Sequence, residues 1–117
     1  MTLQECYEML EGDYETVLQR IPNEPMVKKF VLRFPEQSGY EGLCEAMEKK
    51  DYEEGFKAAH TLKGVSLNLS FTKLGASSSE LTEALRNKQL DNVDELFLQV
   101  KSDYAQTKQA IQRLEES

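Results

Sequence analysis

The sequence is poor in the residue types from which many active sites are built. It has one histidine, two cysteines and no tryptophan among 117 residues. Cys6 and Cys44 stand far apart without a C-x-x-C pair, and a single histidine adds too few ligands, so no zinc site is expected. As in other cytosolic chains, we predict two reduced thiols that pack in the interior.

Long apolar runs and positive charge are also scarce. No run approaches the roughly 18 apolar residues of a membrane span, and the first residues lack a basic stretch followed by an apolar one. The net charge of −7 argues against nucleic acid, which is bound by clustered Lys and Arg. We therefore expect a cytoplasmic protein without membrane or nucleic-acid partners, folded as one domain over residues 1–117.

What the sequence does contain is a series of helix signals. All three prolines lie in the first third, and no segment alternates apolar and polar residues as a strand would. Helix starts are indicated at residues that can cap a first turn, namely Thr2 with Glu5, Asp13, Asn23, Ser38 with Glu41, Asp51 with Glu54, and Asp91. The first three helices are predicted to end near Glu11, before Pro22 and at Pro35.

Apolar residues in the last two predicted helices step by three and four, which favours helix-on-helix packing at a shallow angle. The two stripes are Phe71, Leu74, Ser78, Leu81 and Leu85, then Val93, Leu96, Val100, Tyr104, Thr107, Ile111 and Leu114. The aromatic residues predicted in the core are Phe30, Phe34, Phe97 and Tyr104. Short connections force neighbouring helices to be antiparallel. The pattern predicts an all-α, antiparallel four-helix bundle over about residues 38–115, with short flanking helices over about residues 2–35.

Candidate chemistry lies on the helix that carries His60. Residues three and four apart share a helix face, so Lys57, Lys63 and Gly64 surround His60. An imidazole with an ordinary pKa of about 6.5 is partly uncharged near neutral pH and can attack phosphorus. Lys63 can neutralise a bound phosphoryl group, with Lys57 as a second cation. A glycine inside a helix lowers helix stability by about 1 kcal/mol relative to alanine. Close approach of a phosphoryl group or a partner to His60 would explain why Gly64 stands there.

The run from His60 to Leu69 resembles the phosphoacceptor motif of histidine-containing phosphotransfer (HPt) domains in two-component phosphorelays. That motif is roughly H-x-L-K-G-x-[SA]-x-x-[LIV]-G after small residues, and the chain reads HTLKGVSLNL after Ala58 and Ala59. The resemblance continues through Phe71, Leu74 and Leu81 in the following helix. It implies the same four-helix bundle.

The resemblance also implies a role. His60 would accept a phosphoryl group from a receiver-domain aspartate, or from a kinase, and pass it to another receiver. Lys63 would be the charge partner and Gly64 the clearance residue, while Phe56 and Leu67 would suit an apolar docking surface. Such a carrier is a phosphoprotein without independent turnover and so is not an enzyme. The receiver would supply Mg²⁺, so no cofactor is expected in a monomer whose partners are receiver domains and a hybrid histidine kinase.

Three positions depart from the family pattern or add to it. Ser70 stands where the family often has glycine at the end of the helix. Thr82 stands where many members have a glutamine that bonds the acceptor ring, and a threonine is shorter. Arg86, one turn later, matches a basic position seen in some members, so Thr82 and Arg86 are accessory candidates together with Lys57.

Two other classes of function are weighed against the relay. A helical interaction module with an HPt-like fold would bind signalling partners without phosphotransfer, and the intact His60, Lys63 and Gly64 argue against it. A hydrolase or phosphatase would need a further base, metal ligands or an oxyanion hole. The serines Ser77, Ser78 and Ser79 have no such base and are predicted to permit close helix packing.

Overall fold

The computed structural model describes all residues 1–117 as seven α-helices with no strand. In chain order they are α1 (Leu3–Leu10), α2 (Tyr14–Arg20), α3 (Glu24–Gln37), α4 (Tyr40–Glu48), α5 (Tyr52–Asn68), α6 (Thr72–Arg86) and α7 (Val93–Glu115). A 3₁₀ turn, Leu90–Asn92, precedes α7. The predicted all-α class is confirmed, and no helix is both long and apolar enough to cross a membrane.

Short polar side chains cap four of the helices at the predicted residues. The Thr2 hydroxyl accepts from the Glu5 backbone N–H, and the Glu5 carboxylate accepts from that of Thr2, which completes the capping box. Three further caps accept from the N–H three residues along the chain, and they are Asp13, Asn23 and Asp51. These starts were predictable because donor and acceptor lie within one turn.

Three predicted boundaries are wrong. Helix α3 runs past Pro35 to Gln37, two residues further, so the lost hydrogen bond and ring clash of this proline are tolerated at the helix end. Helix α4 begins after Gly39, whose φ of +79° suits glycine and which makes no side-chain cap. The Ser38 hydroxyl instead accepts from the Tyr40 N–H within the turn. Helix α7 follows a 3₁₀ turn and has no side-chain cap from Asp91.

The bundle consists of α4 to α7, and each helix packs on the next in the chain. Turns of a few residues join α4 to α5 and α5 to α6, so these neighbours run antiparallel. The first and last helices of the bundle meet where the Tyr40 and Tyr104 rings stack, with centroids 3.7 Å apart. The predicted four-helix arrangement is therefore present.

Helices α1 and α3 pack on α7 and share its apolar core. A row of aromatic rings joins them, because Phe71 lies 5.6 Å from Tyr7 and 4.9 Å from Phe34 between ring centroids. Both predicted stripes are buried except Leu96, which is half-buried. One aromatic assignment to the core is wrong, because Phe30 is 38% exposed. Phe97 is partly buried and packs against the core.

Candidate functional site

His60 lies in the middle of α5 with its side chain exposed. The same helix buries Ala59, Leu62 and Ser66 against the rest of the bundle. This placement follows from the helical period. The buried residues define the core-facing side of α5, and His60 lies on the side that faces solvent. The only histidine of the chain is therefore accessible from outside.

The His60 ring stacks on an aromatic side chain one turn earlier. The centroids of Phe56 and His60 are 5.9 Å apart, and their planes make an angle of 18°. The Arg86 guanidinium lies 5.1 Å from the Phe56 ring centroid and therefore interacts with its π face. The Arg86 Nε also lies 3.4 Å from a carboxylate oxygen of Glu83 on the same helix. Phe56 and Arg86, both predicted accessory residues, thus meet beside His60.

The two lysines near His60 differ in their surroundings. Lys57 is exposed, and its Nζ lies 3.3 Å from the Glu54 carboxylate. Exposed pairs of this kind contribute about 0.5 kcal/mol or less and leave the lysine free to exchange partners. Lys63 is half-buried and has no acidic side chain within ion-pair distance. Lys63 is therefore the lysine near His60 that has no ion-pair partner.

Gly64 is exposed, with open space where a side chain would stand. Apart from adjacent residues and the helix's own backbone, a Cβ on Gly64 would meet no atom within 4 Å. Gly75 on α6 is different, since a Cβ there would come within 2.5 Å of Leu67 Cδ2. Packing accounts for Gly75, whereas nothing within the chain requires glycine at position 64.

Two other predicted site residues differ in their exposure to solvent. Leu67 is 42% exposed and lies on the same side of α5 as His60 and Phe56, as a docking residue would. Thr82 is completely buried, and its hydroxyl donates to the Ser78 carbonyl over 2.7 Å. It therefore neither reaches the surface nor bonds the His60 ring, which corrects its assignment as an accessory candidate.

The carboxyl end of α5 is held by groups that the sequence reasoning missed. The Arg20 guanidinium donates to the carbonyls of Leu67 and Asn68 over 2.8 and 2.6 Å. The Tyr7 hydroxyl donates to the Leu69 carbonyl, and the Asp13 N–H to that of Ser70. All these donors come from residues 7–20. No local pattern predicts contacts across about 50 residues, so only the folded chain shows them.

The cysteines lie apart from this arrangement. Both are free thiols, with Cys6 buried and Cys44 partly buried, in accord with the predicted packing. Burial raises the pKa of the Cys6 thiol to about 11, which keeps it protonated and unreactive near neutral pH. No group of three or more His, Cys, Asp or Glu side chains is arranged to hold a metal ion.

Comparison with known families identifies the class to which this geometry belongs. The family model described as Hpt domain matches residues 26–116, from within α3 to the end of α7. The chain therefore belongs to the Hpt domain family, whose members are phosphotransfer modules of two-component signalling that interact with receiver domains and kinases. Neither the curated proteins nor the solved structures gave a significant match.

Proposed function

We propose that this chain is a phosphorelay intermediate in which His60 accepts a phosphoryl group from a receiver-domain aspartate and passes it to another receiver. A kinase is a second source of the group. Residues 1–117 act as one unit in this proposal, with the N-terminal helices closing the end of α5. The observation that carries it is the exposed His60 beside Gly64, a helix glycine with no internal reason to be glycine.

The reaction requires a nucleophile that a partner's phosphoryl group can reach. A ring nitrogen of neutral His60 attacks phosphorus, and an N–P bond forms as the P–O bond to the partner's aspartate breaks. The aspartate leaves as a carboxylate, and the reverse reaction delivers the group to a second receiver. In this proposal the receiver supplies Mg²⁺, while the chain's own residues present the nucleophile.

Charge is supplied where the phosphoryl group would stand. A phosphoryl group brings close to two negative charges at neutral pH. Lys63 follows His60 by three residues, so both lie on one surface of α5. With no acidic partner of its own, Lys63 is available as a point charge for the phosphoryl oxygens. Lys57, which is paired with Glu54, is the weaker candidate for this role.

Gly64 supplies room. Replacing alanine by glycine inside a helix costs about 1 kcal/mol, and internal packing offsets nothing at this position. The open space at Gly64 lets a group from outside the chain approach His60. Leu67 and Phe56, exposed and half-exposed on the same side, give the receiver an apolar surface next to this space.

The test is transfer from a phosphorylated receiver. The purified chain is mixed with a Mg²⁺-loaded, phosphorylated receiver, and acid-labile phosphate on the chain is measured over time. We expect labelling of the wild-type chain and none of His60→Gln. Labelling of His60→Gln would refute the assignment of the acceptor, and no labelling of the wild-type chain by any receiver of the source organism would refute the relay.

Variants of the neighbours test the roles of charge and room. Lys63→Gln is expected to slow transfer by roughly tenfold, because it removes one charge next to the phosphoryl group. Lys49→Gln, an exposed lysine beyond the end of α4, is the control and should leave the rate unchanged. Gly64→Gln should stay folded while transfer slows through steric block. Receiver binding without any transfer would instead favour the non-catalytic interaction module.

A further inference from the structure

The His60 ring lacks the hydrogen bond that would fix its orientation. No protein group is hydrogen-bonded to the ring, and the neighbouring hydroxyl of Thr61 donates to the Lys57 carbonyl. Thr82 on α6 uses its hydroxyl within its own helix. An exposed imidazole without a partner rotates between rotamers on a ps–ns timescale. In-line attack requires one orientation, so another contact must restrict the ring.

The stack with Phe56 is the contact that restricts it. Offset parallel rings attract each other at centroid distances of 4.5–7 Å, and the Phe56 and His60 rings lie 5.9 Å apart at 18°. The two rings are nearly parallel and strongly offset, so Phe56 contacts part of the imidazole and leaves its outer edge free. Because both nitrogens of an imidazole lie on its edge, the stacked His60 still presents them to a partner.

Phe56 is itself held from the neighbouring helix. It is half-buried and packs on the core, while the Arg86 guanidinium lies 5.1 Å from its ring centroid. Glu83 lies 3.4 Å from Arg86 Nε in an exposed pair on the same helix. The order of contacts is therefore Glu83, Arg86, Phe56 and His60, and it runs from α6 to the acceptor ring on α5.

We propose that Phe56 is the positioning residue that orients the His60 ring for phosphotransfer, and that Arg86 holds Phe56 in place. The inference rests on the proposed function. In this proposal the Phe56 ring orients His60, in place of a hydrogen bond from a side chain on α6. Phe56 does not touch the transferred group, so its effect on the maximal rate is exerted through the orientation of His60.

The experiment measures transfer from a phosphorylated receiver as a function of receiver concentration. Phe56→Leu keeps an apolar side chain but removes the flat face, and we expect the maximal rate to fall roughly three- to tenfold with little change in KM. Phe56→Tyr restores the face and should return the rate to within about twofold of wild type. Arg86→Gln should lower it about twofold, whereas Arg113→Gln on α7 should not.

A second measurement follows the ring directly by NMR. Ring currents from Phe56 shift the His60 ring protons, and these shifts should move toward those of a free histidine in Phe56→Leu but remain in Phe56→Tyr. Amide spectra of both variants confirm that the bundle is folded. Unchanged His60 shifts in Phe56→Leu would overturn the stack.

The outcomes separate this inference from the proposed function. A raised KM with an unchanged maximal rate in Phe56→Leu would mean that Phe56 only docks the receiver, which overturns positioning and leaves the relay intact. An equal maximal rate and KM in Phe56→Leu and wild type would also overturn it. No transfer by the wild-type chain would refute the relay itself and with it any positioning role, even where the NMR shifts show the stack.

Discussion

The guanidinium of Arg20 donates a hydrogen bond of 2.6 Å to the carbonyl oxygen of Asn68. Asn68 is the last residue of the helix that carries His60, and its carbonyl has no intrahelical partner. A cation at this end of a helix also meets the negative pole of the helix dipole. Arg20 precedes the part of the chain that the Hpt domain model matches, so a segment outside the family match completes the acceptor helix.

Arg20→Ala should therefore destabilise the fold. It removes two hydrogen bonds to carbonyls and a favourable charge at the helix end, and we expect a loss of about 1 kcal/mol in the free energy of unfolding. Urea denaturation of the purified chain measures it. Arg33→Ala is the matched control, because Arg33 is exposed on α3 and should change stability by less than about 0.5 kcal/mol. Equal losses in both variants would contradict the capping role of Arg20.

Ser70→Gly should make the protein more stable. Ser70 has a φ of +58°, which is costly for a residue with a side chain, and its buried hydroxyl has no hydrogen-bond partner. Relief of both costs should exceed the added chain entropy of glycine and raise the free energy of unfolding by roughly 1 kcal/mol.

Lys50→Gly separates the two contributions to that gain. Lys50 has a φ of +57° but is exposed, so only the backbone term is relieved there. Its gain in thermal and urea stability should be smaller than that of Ser70→Gly. A loss of stability in Ser70→Gly would show that the left-handed turn after α5 is not strained.

Gly64→Ala should raise stability at the position where we propose that the larger side chain of Gly64→Gln slows transfer. An alanine has room at position 64 and favours helix by about 1 kcal/mol, so the urea midpoint should increase. Gly12→Ala is the opposite case. A Cβ there would lie 2.8 Å from the Ser70 carbonyl oxygen, and the resulting overpacking should cost about 1–3 kcal/mol. A lower midpoint for Gly64→Ala would mean that internal packing, and not a partner, requires this glycine.

Stability should decrease as the pH is lowered into the range where glutamate titrates. Hydrogen bonds from Lys73 and Gln106, with the Lys73 charge, hold the pKa of the Glu11 carboxyl below its usual value. A carboxyl with a depressed folded-state pKa stabilises the protein above its unfolded pKa of about 4.5. That contribution is lost as the pH falls from about 4.5 through the lower pKa of the folded state.

The contribution of Glu11 to this pH dependence can be checked with one variant and one control. Glu11→Gln should reduce the difference between the urea midpoints at neutral pH and at a pH below the folded-state value. Glu8→Gln, in the last turn of α1 just before Glu11, changes an exposed carboxylate with no side-chain hydrogen bond and should preserve that difference. An unaltered pH dependence in Glu11→Gln would exclude the contact with Lys73 as its source.

Much of the helical structure was predictable because its causes are local. Thr2, Asp13, Asn23 and Asp51 cap helices whose first turns lie next to them, and the apolar stripes of α6 and α7 follow the helical period. The start of α4 was mispredicted because a positive φ at Gly39 sets the turn there. Residue type alone does not show which glycine adopts it.

For the site, the face of α5 was predictable and its supporting contacts were not. Spacing indicates that Lys63 and Gly64 flank an exposed His60, since one helix determines all three positions. The contact of Phe56 with Arg86 depends on how α5 lies against α6, which no single-helix pattern contains. The exposure of Phe30 likewise depends on how α3 packs against the other helices. Its ring lines a surface groove with Val65 and Leu69.

The chain has one exposed imidazole, on a helix held at both ends, so the proposed relay has a single acceptor site. In the proposed relay, donor and recipient receivers must then visit the same surface in turn. The amounts of competing receivers, rather than any movement of α5, would decide where the phosphoryl group goes. An excess of an unphosphorylated receiver should therefore slow loading of His60 as a competitive inhibitor.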